Sequence, residues 1–415
     1  MHATSSAPPS ATCSGDPMNV LPKPWNSSAV WNQLAASIRP DIREPLNKVL
    51  ESNDGGVLSR EECVALAGTS GDDLLALAAV ADILRKRLVG DTVTYVANRN
   101  INFTNVCFVG CKFCAFFRGA NHPEATTYTP EQVAAKAQEA WDLGATEVCI
   151  QGGLPRGLDQ WYYRDILRAI KKATPKMHIH AFSPMEITYG LQLTGMPLRD
   201  YLTMLHENGL DTMPGTAAEI LHDDVRQLIS KYKLGASSWE EIIRAAHQCG
   251  IRTTSTMMYG HVEQPEHWVD QLLLYRRIQA DTGGFTEFVP LGFVHHNTRL
   301  YLEGHSRPGP TDEEHVRIHA LSRVMLAGSI NNIQVSWVKL TREMSQQALE
   351  SGANDYGGTL MEENISRLAG STSGQYVSPE QFDERIRELD RIPAQRNTTY
   401  SQIVPRPAVM DEVSA

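Results

Sequence analysis

Long apolar runs and basic runs are both missing from this 415-residue sequence. No segment approaches the roughly 20 consecutive apolar residues that a membrane-spanning helix requires. Acidic residues outnumber basic ones, with 48 Asp and Glu against 38 Lys and Arg, and the formal net charge is −10. Such a chain has no electrostatic reason to bind nucleic acid or an anionic membrane. We therefore expect no nucleic-acid partner and no membrane partner.

The first 28 residues lack the apolar stretch of about seven or more residues that marks a secretory signal. They are rich in Ser, Ala and Pro, which predicts a mobile tail at 1–28. An organelle transit peptide stays open as an alternative, because Asp16 is the only acid in this segment, although the segment is also poor in Arg. Without such a peptide we expect a cytoplasmic protein.

Cysteine is sparse as well, with seven residues in the whole chain. An odd number in a chain of this length does not predict a disulfide framework, which is typical of short secreted domains. Three of the seven, Cys107, Cys111 and Cys114, fall within eight residues. This clustering predicts a metal or cluster site in a reducing compartment.

Beyond the tail, β-rich runs alternate with amphipathic helical patterns. We predict helices at 30–50 and 60–89, the second opening with Ser59 and Glu62 at capping-box spacing. The predicted strands lie at 93–104, 146–151, 177–182, 210–213, 252–258, 285–291 and 333–338, with a weak eighth near 353–355. Seven or eight such repeats predict an α/β fold of the (β/α)8 type, a TIM-like barrel. An open doubly wound sheet is the alternative, but no GxGxxG motif follows an early strand.

This pattern predicts four segments along the chain. They are the tail at 1–28, a helical segment at 29–90, the barrel at 91–395 and a C-terminal tail at 396–415. In a barrel of this type, functional groups lie at the carboxyl ends of the strands. Several chemistry-bearing residues follow predicted strands directly, among them Cys107, Gly152, Ser183, Pro214, Gly260, Gly292 and Lys339.

The cysteine triplet has the spacing C-x3-C-x2-C on the loop after the first predicted strand. Three thiolates this close can each bind a different iron of one iron–sulfur cube. The next cysteine is Cys149, so one iron would stay open and could chelate a substrate. Structural zinc wants four ligands, usually in CxxC pairs, and the sequence has no partner pair. Three unrelated core cysteines are the remaining alternative.

This triplet, with the aromatic Phe113 before its last cysteine, resembles the motif of the radical S-adenosylmethionine (SAM) superfamily. The resemblance implies a [4Fe–4S] cluster on Cys107, Cys111 and Cys114, with SAM bound to the open iron. One electron would then cleave SAM to methionine and a 5′-deoxyadenosyl radical. The residues that the resemblance implies for SAM binding are Phe113, Gly152, Gly153, Glu186 and Gly260.

Each of the last motifs also has an ordinary interpretation. Gly152 and Gly153 are equally consistent with a strand-ending turn. Glu186 could instead be a solvated loop acid. In the Gly260-x-x-Glu263 motif, backbone groups would meet the adenine, whereas the glutamate would organise the loop.

Two longer sequence motifs point to one family within this superfamily. They are N-R-N-I-N-F-T-N-V-C at 98–107 and A-N-D-Y-G-G-T-L-M-E-E at 353–363. From about 45 to 390 the sequence resembles the CofH-type subunit family of 7,8-didemethyl-8-hydroxy-5-deazariboflavin (FO) synthase. This family transfers the 4-hydroxybenzyl group of L-tyrosine to 5-amino-6-(D-ribitylamino)uracil in deazaflavin coenzyme biosynthesis. The products implied are 5-amino-5-(4-hydroxybenzyl)-6-(D-ribitylimino)uracil, 2-iminoacetate, methionine and 5′-deoxyadenosine.

The resemblance also implies partners and substrate contacts. An electron donor must reduce the cluster, and a second radical SAM subunit or domain must close the third ring, since this sequence holds one triplet. Tyrosine, a ribityl chain and a uracil all need polar partners. The candidates expected at the top of the barrel are His180, Ser183, Glu186, Thr216, Tyr259, His261, Glu287, His295, Asn297, Lys339, Asn354 and Asp355. Asn354 and Asp355 rank first because they are expected where a strand ends, and at most one of His295 and His296 should face the site.

Three other functions stay open on sequence alone. One is a menaquinone-pathway radical enzyme of the aminofutalosine synthase or cyclase type. Another is a tyrosine lyase that cleaves tyrosine without coupling it to a uracil. From a different class, the chain could be an iron–sulfur electron carrier, although an open iron and a chain of this length both argue against it.

Overall fold

The computed structural model describes residues 19–52 and 56–406. Its strands are β1 (Thr92–Val96), β2 (Asn98–Asn102), β3 (Glu147–Gln151), β4 (His178–Ala181), β5 (Thr212–Met213), β6 (Arg252–Tyr259), β7 (Phe285–Gly292), β8 (Asp355–Gly358), β9 (Ile392–Arg396) and β10 (Ile403–Pro405). Its helices are α1 (Ser27–Leu34), α2 (Pro40–Glu51), α3 (Arg60–Ala67), α4 (Gly71–Val89), α5 (Pro130–Asp142), α6 (Tyr162–Ala173), α7 (Pro184–Thr194), α8 (Leu198–Glu207), α9 (Asp223–Ser230), α10 (Ala236–Gln248), α11 (Pro265–Thr282), α12 (Arg299–Leu302), α13 (Asp312–Leu326), α14 (Arg342–Glu350), α15 (Ile365–Ala369) and α16 (Pro379–Arg387).

The strands close into a parallel barrel. β2 to β7 form one sheet in sequence order, and β8 pairs in parallel with β1. The chain between β7 and β8 joins the two sheets, because Ile333 bridges Phe288 and Gln334 bridges Asp355. Since β1 continues into β2, the two edges meet. The barrel confirms the (β/α)8-type fold predicted from the alternation of strands and helices.

Helices cover the outside of this barrel. α10 and α11 pack on β6, α13 packs on β7, and the N-terminal helices α3 and α4 pack on α11 and α13 in a further layer. Local sequence sets several helix starts: Ser59 and Glu62 form the predicted capping box of α3, and Thr129 and Gln132 form one on α5. Each box satisfies backbone N–H groups that have no partner within the helix.

Some predicted boundaries were wrong. The predicted strand at 93–104 divides at Ala97 into β1 and β2. The apolar run at 333–338 makes only two isolated bridges and then a 3-10 turn, Trp337–Lys339. The weak eighth strand exists, but it begins at Asp355 instead of ending there. The two predicted N-terminal helices are four, because the chain turns between α1 and α2 and between α3 and α4.

The predicted N-terminal tail is shorter than expected where the structure describes it. Residues 1–18 lie outside the described residues. Leu21 is fully buried, and its N–H donates to Gln347 Oε1 on α14 at 3.0 Å. Lys23 pairs with Glu350 on the same helix. Residues 19–28 therefore pack on the body of the protein, and α1 begins at Ser27 after the capping side chain of Asn26.

The predicted C-terminal tail is also wrong for residues 396–406. β9 pairs in parallel with β1, and β10 returns antiparallel to β9. The turn between them closes the end of the barrel where the strands begin. There Arg396 donates from Nε to Asp355 Oδ2 at 2.5 Å and from Nη2 to Glu287 Oε2 at 3.1 Å. Tyr400 donates to the same Glu287 oxygen at 2.5 Å, and the Thr398 hydroxyl donates to Glu147 Oε2 at 2.6 Å.

Within the described ranges, no single helix is long and apolar enough to cross a membrane. By length and composition alone, α3 and α4 pass that test only as a pair, which is bent by 117°.

Loss of the Arg396 charge would leave Asp355 and Glu287 buried without it. We expect Arg396→Met to lower the free energy of unfolding by about 3–5 kcal/mol, as is typical when one partner of a buried pair is removed. Urea unfolding of the apo-protein measures this change. The control is Arg342→Met, because Arg342 and its partner Glu388 are each nearly half exposed, and such a pair contributes at most about 1 kcal/mol. Equal losses in both variants would contradict a structural role for Arg396.

Candidate functional site

The loop that carries the three cysteines is held by backbone hydrogen bonds along its length. The Cys107 N–H donates to Arg118 O at 3.1 Å, and the Phe108 N–H donates to Leu154 O at 3.1 Å. Further along, the Lys112 N–H donates to Ile229 O at 2.9 Å. The loop therefore lies fixed at the carboxyl end of the barrel strands, where the sequence predicted it.

The three thiols share one environment. Cys111 is buried, and Cys107 and Cys114 are partly buried. Burial raises the pKa of the Cys111 thiol to about 12, Lys233 acts to lower it, and the other two thiols raise it further. Burial likewise raises the pKa of Cys114. Binding of a metal to Cys111 and Cys114 must therefore displace their protons.

A buried ion pair that the sequence analysis missed lies beside this loop. Lys233 donates from Nζ to Glu219 Oε1 at 2.6 Å, and its Nζ lies 5.2 Å from the centre of the Phe113 ring. Burial disfavours the Lys233 charge, but Glu219 and Cys111 together raise its pKa above the usual value. This places a positive charge next to the thiols, where thiolates would be stabilised.

Gly152 and Gly153 connect the loop to β3. A Cβ on Gly153 would lie 2.2 Å from the carbonyl oxygen of Val106 and 3.0 Å from the Cβ of Cys107. A Cβ on Gly152 would lie 2.6 Å from the ring of Phe103. Only glycine allows the end of β3 to approach the cysteine loop this closely.

Glu186 is not a solvated loop acid, because it is almost fully buried. Its carboxylate accepts the Gly152 N–H at 3.0 Å and the Ser183 N–H at 2.7 Å. Burial raises its pKa to about 7, although these hydrogen bonds act in the opposite direction. Glu186 thus ties the end of β3 to the start of α7, and its predicted contact with SAM stays a prediction.

The Gly260–Glu263 motif organises its own loop, which confirms the interpretation given to its glutamate. Glu263 accepts the N–H groups of Gly260 and His261 at 2.6 and 2.9 Å and the Trp268 indole N–H at 3.1 Å. A Cβ on Gly260 would lie 2.4 Å from Cδ of Pro310, so glycine is required there as well.

Below the cysteine loop, the inside of the barrel is a polar cavity with about 710 Å³ of unfilled space, part of it open to solvent. Ordinary barrels of this type fill their interior with branched apolar side chains. Here many inward positions of the strands carry polar side chains instead, although Val96, Val289 and Leu291 also line the cavity. The polar residues that line the cavity are Asn98, Asn100, Glu147, Cys149, Gln151, His180, Thr216, Thr254, Thr256, Glu287, Gln334, Ser336, Arg396 and Thr398.

Two family models match the chain, the radical SAM superfamily over residues 101–274 and the CofH/MqnC C-terminal region over residues 282–409. The 5-amino-6-(D-ribitylamino)uracil–L-tyrosine 4-hydroxyphenyl transferase of Methanothermobacter thermautotrophicus is 48% identical over 363 residues. That match covers 88% of this chain and 99% of the relative. The chain belongs to the CofH-type family of radical SAM enzymes.

Longer relatives match the chain as well, and a solved structure shares its fold. The FO synthase of Nocardia farcinica is 52% identical over 355 residues, which are 86% of this chain and 41% of the relative. The chain thus spans about two fifths of the length of that FO synthase. The FeFe-hydrogenase maturase HydG from Carboxydothermus hydrogenoformans has the same fold, with a TM-score of 0.67 at 15% identity over 90% of this chain and 84% of that one.

Radical SAM enzymes use a [4Fe–4S] cluster and SAM, and these are the cofactors of this CofH-type chain. The donor set fits the cluster, because three thiols lie on one fixed loop beside a buried lysine. Among residues 19–52 and 56–406, no three His, Cys, Asp or Glu side chains are grouped closely enough to hold a single metal ion. A cube binds each thiolate at a different iron, so its three cysteines need not meet at one point.

The cavity of this CofH-type chain contains only some of the substrate candidates. His180 and Thr216 line it, and Thr216 donates to Gln151 Oε1 at 3.3 Å. Burial lowers the pKa of His180 to about 4, so its ring is neutral at pH 7. Glu287 lines the cavity as well, but its predicted position at the top was wrong, because it lies near the start of β7 and bonds Arg396.

Asn354 and Asp355, which ranked first, were predicted at the carboxyl ends of the strands, but they lie at the opposite end of the barrel. They stand where β8 begins, and both are buried. The Asn354 side chain accepts from Arg323 Nη2 at 2.8 Å, and Asp355 accepts from Arg396. Because these side chains already hydrogen-bond to protein groups, we assign them a structural role.

The other candidates lie outside the cavity wall. Tyr259 points to the outer helices, since its hydroxyl bonds His315 Nδ1 at 2.7 Å. Lys339 donates to Ser366 Oγ at 2.7 Å. His295 follows β7 in a loop, where its ring stacks on His296 with centroids 4.0 Å apart. The two histidines are not on a strand, so the alternation invoked for them does not apply, and neither lines the cavity.

The remaining polar candidates hold their own loops together. Ser183 caps α7, His261 bonds the Met258 carbonyl oxygen at 3.0 Å, and Asn297 bonds the Leu368 carbonyl oxygen at 3.0 Å. The sequence did contain a signal for the missed cavity residues. In β3, Glu147, Cys149 and Gln151 alternate with Val148 and Ile150, so the polar positions share one face.

The close approach of Gly153 to the cysteine loop makes a prediction about cluster retention. We expect Gly153→Ala to push the loop away at Val106 and Cys107 and to lose most of the bound iron. Iron and sulfide per chain after anaerobic reconstitution, and the electron paramagnetic resonance signal after reduction, measure this loss. The control is Gly119→Ala, because a Cβ there meets no atom within 4 Å. A complete cluster in Gly153→Ala would contradict this arrangement.

Because Tyr259 points away from the cavity, we predict that its hydroxyl contributes to stability and not to substrate binding. We expect Tyr259→Phe to lower the free energy of unfolding by about 1 kcal/mol, through loss of the His315 hydrogen bond, and to leave both substrate KM values near wild type. Urea unfolding and steady-state kinetics test the two parts. Thr216→Val is the comparison, because its hydroxyl faces the cavity and its loss should raise a KM. A large rise in KM for Tyr259→Phe, without one for Thr216→Val, would contradict this prediction and indicate that Tyr259 contacts a substrate.

Proposed function

We propose that this chain transfers the 4-hydroxybenzyl group of L-tyrosine to 5-amino-6-(D-ribitylamino)uracil. The products would be 5-amino-5-(4-hydroxybenzyl)-6-(D-ribitylimino)uracil, 2-iminoacetate, methionine and 5′-deoxyadenosine. The observation that carries this proposal is a cavity with many polar lining residues that reaches Gln151, next to the two glycines that pack on the cysteine loop. Gln151 lines that cavity, and the next two residues of the chain contact Phe103 and Cys107.

In this proposal Cys107, Cys111 and Cys114 hold the cluster, and Phe113, Gly152, Gly153, Glu186 and Gly260 surround SAM. When bound, these cofactors supply the 5′-deoxyadenosyl radical. Lys233 stabilises negative charge beside the thiolates, and the glycines let the backbone approach the methionine part of SAM. Hydrogen bonds from this loop to the carbonyl oxygens of Leu154 and Ile229 hold it in place.

The cavity offers the kinds of polar partner that two such substrates require. Among the described residues, the side-chain amides of Asn100 and Gln334 have no hydrogen-bond partner, and neither does the Ser336 hydroxyl. All three line the cavity. An amide both donates and accepts, which matches the alternating edge of a uracil ring. A neutral His180 can likewise donate or accept.

The matching C-terminal family model is named for both CofH and MqnC, so it does not separate this function from the menaquinone-pathway alternative. The 48% identity to the named transferase favours the transfer reaction. We propose also that an external electron donor reduces the cluster. A second radical SAM subunit or domain would close the third ring of FO. A cytoplasmic location remains our expectation.

Mass spectrometry of an anaerobic reaction tests the proposal. With L-tyrosine, the ribitylated uracil, SAM and dithionite, we expect the coupled product and 5′-deoxyadenosine in parallel. Cys111→Ala should retain little cluster and form neither product. Release of cresol without coupling would indicate a lyase, and turnover of a futalosine-type substrate would indicate the menaquinone-pathway alternative. SAM cleavage that neither tyrosine nor the uracil accelerates would contradict both the proposal and the lyase alternative.

A further inference from the structure

The far end of the cavity is closed by five side chains that we call the floor cluster: Glu147, His180, Glu287, Arg396 and Thr398. Three come from barrel strands, and two come from the C-terminal segment that ends β9. All five are nine-tenths or more buried and line the same cavity that opens beside the cysteine loop. Of these five residues, the proposed function gives a role to His180 alone.

The floor cluster presents polar atoms that the protein itself leaves unused. The two protein donors to the Glu287 carboxylate, Arg396 and Tyr400, both reach Oε2, so among the described residues Oε1 accepts no hydrogen bond. His180 uses Nδ1 to bond Thr212 Oγ1 at 2.7 Å, and its Nε2 has no partner in the same part of the chain. Polar atoms that face a cavity without a protein partner have to be satisfied by water or a ligand.

The depth of the cavity separates this cluster from the mouth. Glu147 and Gln151 are the first and last residues of β3, and both line the cavity. Four residues of strand span about 13 Å. A substrate that reaches both levels must therefore be elongated, with polar groups at its far end.

The charge of the floor decides which part of which substrate it accepts. Glu147 and Asp355 bring two carboxylates, and Glu287 brings a carboxyl group whose pKa burial raises to about 7. Arg396 brings one guanidinium, in contact with Asp355 and Glu287. This excess of acid repels the carboxylate of tyrosine. The phenol of tyrosine has a single hydroxyl on an apolar ring, which would leave most floor atoms unsatisfied. A neutral polyol offers several hydroxyls that donate and accept.

Resting on the proposed function, we infer that the floor cluster is the binding site for the ribityl chain of the uracil substrate, with the uracil ring above it at Asn100 and Gln334. This orientation leaves the space nearest the cysteine loop for tyrosine. The C-terminal segment then supplies specificity directly, because Thr398 and Arg396 form part of the polyol site.

The test compares two ligands, 5-amino-6-(D-ribitylamino)uracil and 5-amino-6-(methylamino)uracil, on the cluster-loaded enzyme. Anaerobic equilibrium dialysis gives the Kd of each without turnover. We expect Thr398→Val to raise the Kd of the ribityl ligand about tenfold, as for loss of one or two hydrogen bonds, and to change that of the methyl analogue much less. Thr398→Ser should restore most of the affinity, because it keeps the hydroxyl.

A matched control is Thr399→Val, since the Thr399 hydroxyl bonds Ser401 on the exposed side of the same turn. It should leave both Kd values unchanged. If Thr398→Val does not fold, His180→Phe removes Nε2 at the floor while keeping a ring, and it should show the same preference. The inference would be overturned if the Kd values of both ligands rose equally, or if neither rose. The inference alone fails if the wild-type enzyme couples tyrosine to the uracil but the variants keep the wild-type ratio of the two Kd values, ribityl ligand to methyl analogue. The proposed function itself fails if the wild-type enzyme does not couple the two substrates.

Discussion

Burial of charge at the floor of the barrel is the constraint on which the rest of this structure depends. Inward positions of β3 and β7 carry Glu147 and Glu287, where a barrel of this type usually carries branched apolar residues. Unpaired carboxylates there would cost several kcal/mol each. Arg396 and Thr398 provide their partners from the far end of the sequence. An open polar interior is therefore possible only because the C-terminal segment returns to the barrel and pairs with β1.

The mouth of the barrel depends on the same strand that reaches the floor. β3 places Glu147 at one end and Gln151 at the other, and Gly152 and Gly153 follow directly. Glu186 holds the N–H of Gly152, so the turn after β3 is fixed to α7. A rigid strand thus sets the separation between the cysteine loop and the floor. Catalysis by positioning requires such fixed distances, because small displacements of the reacting atoms cost rate.

Alternating strands and helices sufficed to predict the barrel, and the spacing of three cysteines sufficed to predict the cluster loop. The errors have physical causes. Apolar residues at 333–338 have strand propensity, but the chain turns at Trp337 after two bridges. Asp355 was misplaced because β8 begins there, and a shift of three or four residues exchanges the two ends of a short strand. Arg396 had no local signal at all, since its partners lie 41 and 109 residues away in sequence.

The position of Tyr259 could have been inferred from the sequence, and the reason extends to the whole cavity. Side chains alternate along a strand, so Tyr259 cannot share the inward face of Thr254 and Thr256. The same rule separates Glu147 from Val148. Applied to β3 and β4, it places apolar residues outward and polar residues inward, the reverse of a packed interior. A barrel with that pattern binds its ligand inside, because only a polar ligand or water can satisfy such a wall. For a radical enzyme this has a further consequence: many directional hydrogen bonds from rigid strands hold a substrate in one orientation, so that a reactive radical meets one chosen hydrogen.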